Sequence, residues 1–230
     1  MGRKILITGD RKGIGRFLSE YFLNNGDIVI GCSRTGSNLE HQKYTHLICD
    51  VSNENDVKSL FKKVRKTHGD IDVIINNAGM ASMNHILTTP ISTFEKLINT
   101  NLKGTFLFTR EGSKLMRKNG GSIVNFSTVA APLNLEGEAL YASSKAAVEK
   151  FSKISAFELS RYGIRVNCIG PTPVYTDLIK AVPKNKIDEL LKSQAIKRLG
   201  EFDDIINVIK FFISDKSGFI TGQTIYLGGV

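Results

Sequence analysis

Within its first 25 residues the chain passes from a strand through a glycine-spaced turn into a helix, and no other stretch limits its fold as much. Lys4 to Thr8 is an apolar run, Gly9-Asp10-Arg11-Lys12-Gly13-Ile14-Gly15 is the turn, and Arg16 to about Asn25 has helical spacing. A helix N-terminus offers unpaired backbone N–H groups, and residues without β-carbons let an anion come close to them. Placed after a buried strand, the turn predicts a pyrophosphate site. Its spacing, Gly-x-x-x-Gly-x-Gly, differs from the Gly-x-Gly-x-x-Gly of the commonest dinucleotide folds.

The same alternation continues to the end. Strands are predicted at Ile28–Cys32, Thr45–Cys49, Ile71–Ile75, Ser122–Phe126, Ile164–Ile169 and Thr224–Leu227. Helices are predicted at Asn53–Thr67, Ser92–Met116, Ala139–Leu159 and Asp203–Ser214. Strands that alternate with helices imply an α/β fold on a parallel sheet. The 230 residues suit one such domain, residues 1–230, with an irregular, Pro183-interrupted stretch at about 172–200 read as a substrate lid. Cys32, Cys49 and Cys168 are odd in number and sit in separate strands, which argues against a disulfide framework or a metal site. No apolar run is long enough to span a bilayer, and the first strand begins almost at Met1, so a cytoplasmic protein is expected. The net charge of +9 is scattered along helix faces without interleaved aromatics, which does not read as a nucleic-acid surface. An anionic cofactor or an acidic carrier partner is a better use for it.

Cofactor choice is read at the second strand. Between Asp27 and Glu40 there is no acidic residue to meet a free ribose 2′-hydroxyl, and Ser33-Arg34 ends the strand. Arg34, with Arg11 and Lys12, would surround a 2′-phosphate, so NADP(H) is favoured over NAD(H). Asp50 follows Arg34 by only sixteen positions, and Thr35–Tyr44 is polar and turn-rich, so a loop or a stub of helix is expected as the crossover. Asn76-Asn77-Ala78-Gly79 stands at the carboxyl end of the fourth strand, where ligands bind in this architecture. Asn101, in mid-helix, is unfavourable by propensity and implies a task, either bridging a kink or holding a water.

Tyr141 and Lys145 lie four residues apart and so share one helix face. An ammonium one turn from a phenol, whose usual pKa is ~10, favours the phenolate. A hydroxyl at the end of the fifth strand, Ser127 or Thr128, stands where it can hold a carbonyl oxygen. That set suits protonation of a carbonyl while a hydride is delivered.

Thr8-Gly9 through Gly15, Asp50-Val51, Asn76 to Gly79, Asn101 to Gly104, Tyr141-x-x-x-Lys145, and Arg198-Leu199-Gly200 through Gln223 together resemble the short-chain dehydrogenase/reductase family, in its classical branch, over the whole chain. The resemblance implies a Rossmann-type three-layer α/β/α sandwich with a doubly wound parallel sheet of seven strands, in the order 3-2-1-4-5-6-7. It implies Asn101, Thr128, Tyr141 and Lys145 as catalytic residues. Tyr141 would be the acid/base, its pKa lowered by Lys145, and Asn101 would organise a water. Thr128 stands where the family has serine, with Ser127 as the fallback. Cofactor contacts are implied from Gly9 to Gly15, at Ser33, Arg34, Asp50, Val51, Asn77, Ala78, Gly79, Tyr141, Lys145, Pro171 and Val174, and at Thr176 over the nicotinamide carboxamide. The chain looks nearest to 3-oxoacyl-[acyl-carrier-protein] reductases, with reductases of sugars, polyols or dicarbonyls as the alternative. A non-catalytic NADPH-binding regulator is the third reading. The long helices from Ser92 and Ala139 would pack with partner subunits, giving a homotetramer or a dimer.

Overall fold

The computed structural model describes residues 2–176, 179 and 182–230. Strands β1 (Lys4–Thr8), β2 (Ile28–Ser33), β3 (Tyr44–Ile48), β4 (Val73–Asn76), β5 (Gly121–Phe126), β6 (Ile164–Gly170) and β7 (Thr224–Tyr226) form one sheet. Its order is 3-2-1-4-5-6-7 and every pairing is parallel. Both faces are covered by helices, so the central strands are buried on both sides and mostly apolar, without a regular alternation of apolar and polar residues. Successive residues of β1 show the division: Ile5 and Ile7 face one layer and Leu6 the other.

Helices α1 (Gly13–Asn24) and α7 (Phe202–Ile213) cover the Ile5 side with Leu18, Phe22, Ile205, Ile209 and Phe212. On the Leu6 side lie α2 (Glu54–His68), α4 (Gly104–Met116) and α5 (Ala139–Leu159), contributing Val57, Phe61, Leu107, Phe108 and Ala156. The expected cap of α2 is present, since the Asn53 side chain accepts from the backbone N–H groups of Asn55 and Asp56. No helix lies between β2 and β3, as their short connection requires.

Two elements differ from the sequence expectation. The first helix starts at Gly13, not Arg16, because the last two glycines of the turn already belong to its first turn. The run from Ser92 to Met116 is not uniform: α3 (Ile91–Leu97) passes through a π-helical turn, Ile98–Lys103, into α4. Thr105 Oγ1 donates to the Asn101 carbonyl at 2.7 Å inside that widened turn. The stretch read as a lid contains α6 (Lys184–Ser193), with Pro183 just before it, where a missing N–H does no harm. Val174 and Gly200 pair at the two ends of this excursion, so it leaves and rejoins the sheet at one place. Residues 177, 178, 180 and 181 of the stretch lie outside the described residues. Among the described residues no helix is long and apolar enough to cross a membrane.

Candidate active site

The carboxyl ends of β1, β2, β4, β5 and β6 open into a crevice of about 1500 Å³. Its floor begins at the glycine turn. Gly9 and Gly13 have φ of +71° and +57°, which side chains with a β-carbon rarely adopt. Gly15 is buried, and a Cβ there would stand 2.3 Å from the Gly9 carbonyl oxygen. The turn is therefore packed against the start of α1 with no room for a side chain. Asn77 Nδ2 donates to Thr8 O at 2.9 Å and to Gly9 O at 3.3 Å, and Ala78 N donates to Thr8 Oγ1 at 2.9 Å. The end of β4 thus clamps the turn beside it. These residues make a cradle that β-carbons would fill, and it fits the pyrophosphate of a dinucleotide.

Gly9, Arg11, Lys12, Gly13 and Ile14 line the crevice at the glycine turn, and Ser33 and Arg34 line it at the end of β2. Asp50, Val51, Asn77, Ala78 and Gly79 continue the wall, which Pro171, Val174 and Thr176 complete just beyond β6. Asp10 is a correction to the sequence expectation. Its side chain is fully buried, and its carboxylate accepts from the Tyr44 hydroxyl, directed away from the crevice. Gly15 does not line the crevice either, since it lies behind the turn.

Thr128, Tyr141 and Lys145 all line the other end. Lys145 is 5% exposed and donates to the Phe126 carbonyl at 2.8 Å. The two candidate hydroxyls are now distinguished by their partners. Ser127 Oγ donates to Glu149, whose other oxygen accepts from Tyr226 at 2.7 Å. Thr128 instead lies close enough to the Tyr141 phenol to favour its ionised form.

Electrostatics here depart from expectation. Burial pushes Tyr141 up to about 12, partly offset by the Thr128 hydroxyl and reinforced by Glu138. Burial also pushes Lys145 down to about 8. The expected lowering of the phenol by its neighbouring ammonium is absent because loss of hydration dominates at both groups. A phenol with a raised pKa holds its proton at neutral pH, which is the state a proton donor needs.

Asn101 is a second correction. It is completely buried and does not line the crevice. Its amide is occupied by protein: Oδ1 accepts from Met80 N at 2.9 Å, and Nδ2 donates to Met80 O at 3.0 Å and to Ser144 Oγ at 2.9 Å. The amide therefore ties the π-helical turn to the chain at Met80 and to α5 at Ser144. Asn101 still borders the chemistry, since a Cβ on Gly79 would lie 3.2 Å from Lys145 Nζ and 3.3 Å from Asn101 Oδ1.

Sequence reasoning missed Glu138. It immediately precedes α5, makes no side-chain cap, and lines the crevice three residues before Tyr141. Burial raises its carboxyl to about 7, and Oε2 is buried with no hydrogen-bond partner among the described residues. The signal was available in the i, i+3 spacing, which puts it beside Tyr141. Glu136 also lines the crevice and pairs with Lys186 of α6 at 3.1 Å across its mouth.

A family model described as enoyl-(acyl carrier protein) reductase matches residues 9–229. The 3-oxoacyl-[acyl-carrier-protein] reductase FabG of Staphylococcus epidermidis is 30% identical over 241 residues, covering 100% of this chain and 98% of that protein. Among solved structures, ElxO with NADP bound has a TM-score of 0.90 and 30% identity, covering 99% of this chain and 97% of that one. The ligand-free aldohexose dehydrogenase of Thermoplasma acidophilum has a TM-score of 0.89 and 28% identity, covering 99% and 93%. Fold, crevice and sequence agree: the chain is an oxidoreductase of the short-chain dehydrogenase/reductase family, which acts on CH–OH and C=O groups with a nicotinamide cofactor.

Proposed function

We propose that the chain is an NADP(H)-dependent carbonyl reductase of the 3-oxoacyl-[acyl-carrier-protein] reductase type. The observation that carries this reading is the convergence of Thr128, Tyr141 and Lys145 on the crevice that the glycine turn opens. Thr128 holds the substrate's carbonyl oxygen, and Tyr141 passes its phenolic proton to that oxygen as negative charge develops there. Lys145, anchored on the Phe126 carbonyl, keeps a positive charge behind the phenol and would hold the ribose of a bound nicotinamide. A bound nicotinamide cofactor supplies the hydride. Asn101 contributes by fixing Met80 and Ser144 around this centre.

Preference for NADP(H) is supported by Arg11, Lys12 and Arg34 at one end of the crevice, together with the absence of an acidic residue at the end of β2. A net charge of +9 suits an acidic carrier protein. The stretch at about 172–200 serves as the substrate lid of a single-domain, cytoplasmic enzyme. Subunits associate, as a tetramer or a dimer, through α3 to α5, where Ile91, Phe94, Phe106, Ile154 and Phe157 are exposed.

Glu138 favours a second reading. An acceptor without a donor beside Tyr141 suits a substrate that brings a hydroxyl next to its carbonyl, such as a sugar or polyol. Similarity to an aldohexose dehydrogenase agrees with that reading. Purified protein assayed with NADPH against acetoacetyl thioesters and against ketoses separates the two. Turnover of the thioester is expected, and its absence alongside ketose reduction would replace the first reading with the second.

A further inference from the structure

Beneath the adenine side of the crevice lies a polar cluster that the reaction does not use. Asp10 sends its fully buried carboxylate across β2 at Gly31, where a Cβ would lie 1.7 Å from Oδ2. Any side chain at 31 would expel it. On the far side, the edge strand β3 presents Tyr44 and His46, two residues apart and so on one face. The Tyr44 hydroxyl donates to Asp10 Oδ2, and His46 Nδ1 is 3.1 Å from the same oxygen. The other ring nitrogen, Nε2, is 3.1 Å from the Thr35 carbonyl and 3.3 Å from Ser33 Oγ. Ser33 Oγ in turn donates to Thr35 O at 2.6 Å.

A continuous path of contacts therefore leads from the glycine turn, under β2, to the edge strand and back to the two residues that flank Arg34. Arg34 lines the crevice, whereas Asp10 and His46 do not. Both imidazole nitrogens face acceptors, and either neutral tautomer donates to only one of them. The ring stands between the Asp10 carboxylate and the Thr35 carbonyl and links the two. Asp10 Oδ1 is buried with no hydrogen-bond partner among the described residues, an arrangement that costs stability.

We propose that His46, held by Asp10, is a positioning residue for the 2′-phosphate end of the cofactor site. It fixes the Ser33–Thr35 backbone, and with it the start of the Arg34 side chain, relative to the turn that carries Arg11 and Lys12. Discrimination between cofactors with and without a 2′-phosphate follows from that spacing. The inference rests on the NADP(H) reading above. It goes beyond that reading by assigning the discrimination to groups that never touch the cofactor.

Dissociation constants for NADPH and NADH, measured by fluorescence titration on the full chain, test it in the parent, His46→Leu and His46→Gln. In His46→Leu the NADPH constant is expected to rise about tenfold, as for loss of one hydrogen bond, with the NADH constant nearly unchanged. His46→Gln, whose amide can still donate to Thr35, is expected to recover part of the loss, and it serves alone if the leucine variant fails to fold. A parent that prefers NADPH but whose variants keep the same NADPH/NADH ratio overturns the inference and leaves the cofactor reading intact. A parent with no preference for NADPH overturns both.

Discussion

The two ends of the crevice use charge in opposite ways. At the reactive end the ionisable groups are few and dry: Lys145 is 5% exposed and pushed down to about 8, while Tyr141 is pushed up to about 12. At the glycine-turn end Arg11, Lys12 and Arg34 are exposed to water. A charge in a dry site acts strongly on its neighbours, and the fold carries the cost of dehydrating it. For Lys145, a fall from 10.5 to about 8 corresponds to about 3 kcal/mol against the charged form. Because the unfolded chain binds this proton more readily, stability rises with pH between about 8 and 10.5. Exposed cations cost the fold little, but each attracts an anion weakly and is screened by salt. Chemistry is concentrated in single residues at one end, whereas recognition is shared among several at the other.

The contrast predicts unequal losses. Tyr141→Phe removes the proton donor from a site with no replacement at hand, so kcat should fall by roughly 10³-fold. NADPH binding, read by fluorescence titration, should be retained because the glycine turn and its cations are untouched. A variant that turns over at the parent's rate would sink the acid/base assignment. Arg34→Asp should act at the other end only. It replaces one of three shared cations with an anion, and the ratio of NADPH to NADH affinity should fall by about ten- to a hundredfold. Raising ionic strength should shrink that difference, and a ratio unchanged at low salt would remove Arg34 from cofactor choice.

The same contrast explains what was legible in the sequence. The strands themselves, the glycine cradle and the Asn77–Gly79 wall follow from local patterns of apolar runs, glycines and strand ends, whereas the order of the strands came only with the family resemblance. Tyr141 and Lys145 were legible as an i, i+4 pair, but the sign of the phenol's shift was not. It depends on burial, which arises where α5 packs against β5 and β6. Asp10 was misread for a related reason. Its position in the turn suggested the cofactor, while its carboxylate reaches under Gly31 to β3, a contact between residues 34 and 36 positions apart. Asn101 shows how far propensity can take the argument: a polar residue at an unfavourable helical position announced a task, and only the contacts with Met80 and Ser144 identified it.

Glu138 should give the smallest effect, and it joins the two themes of burial and proximity. Its carboxyl is raised from 4.5 to about 7. Between those values the unfolded chain has released a proton that the folded chain keeps, so this residue's contribution to stability declines as pH rises through the window. Glu138→Gln removes the titration. Measured by urea denaturation, the variant should therefore gain on the parent between pH 4.5 and 7 and hold a constant lead above it. Part of the shift is lost to solvent because the residue is only half-buried, so the gain should be modest. At the active site, the ionised carboxylate of the parent opposes formation of the phenolate, which is one of the causes that raise Tyr141. Without it the phenol gives up its proton more readily, and the alkaline fall in the reductive rate should move to lower pH by a fraction of a unit. Stability curves that run parallel across the window, with alkaline limbs that coincide, would mean that Glu138 is hydrated and does not act on Tyr141. The unpaired acceptor would then lose its claim on a hydroxylated substrate as well.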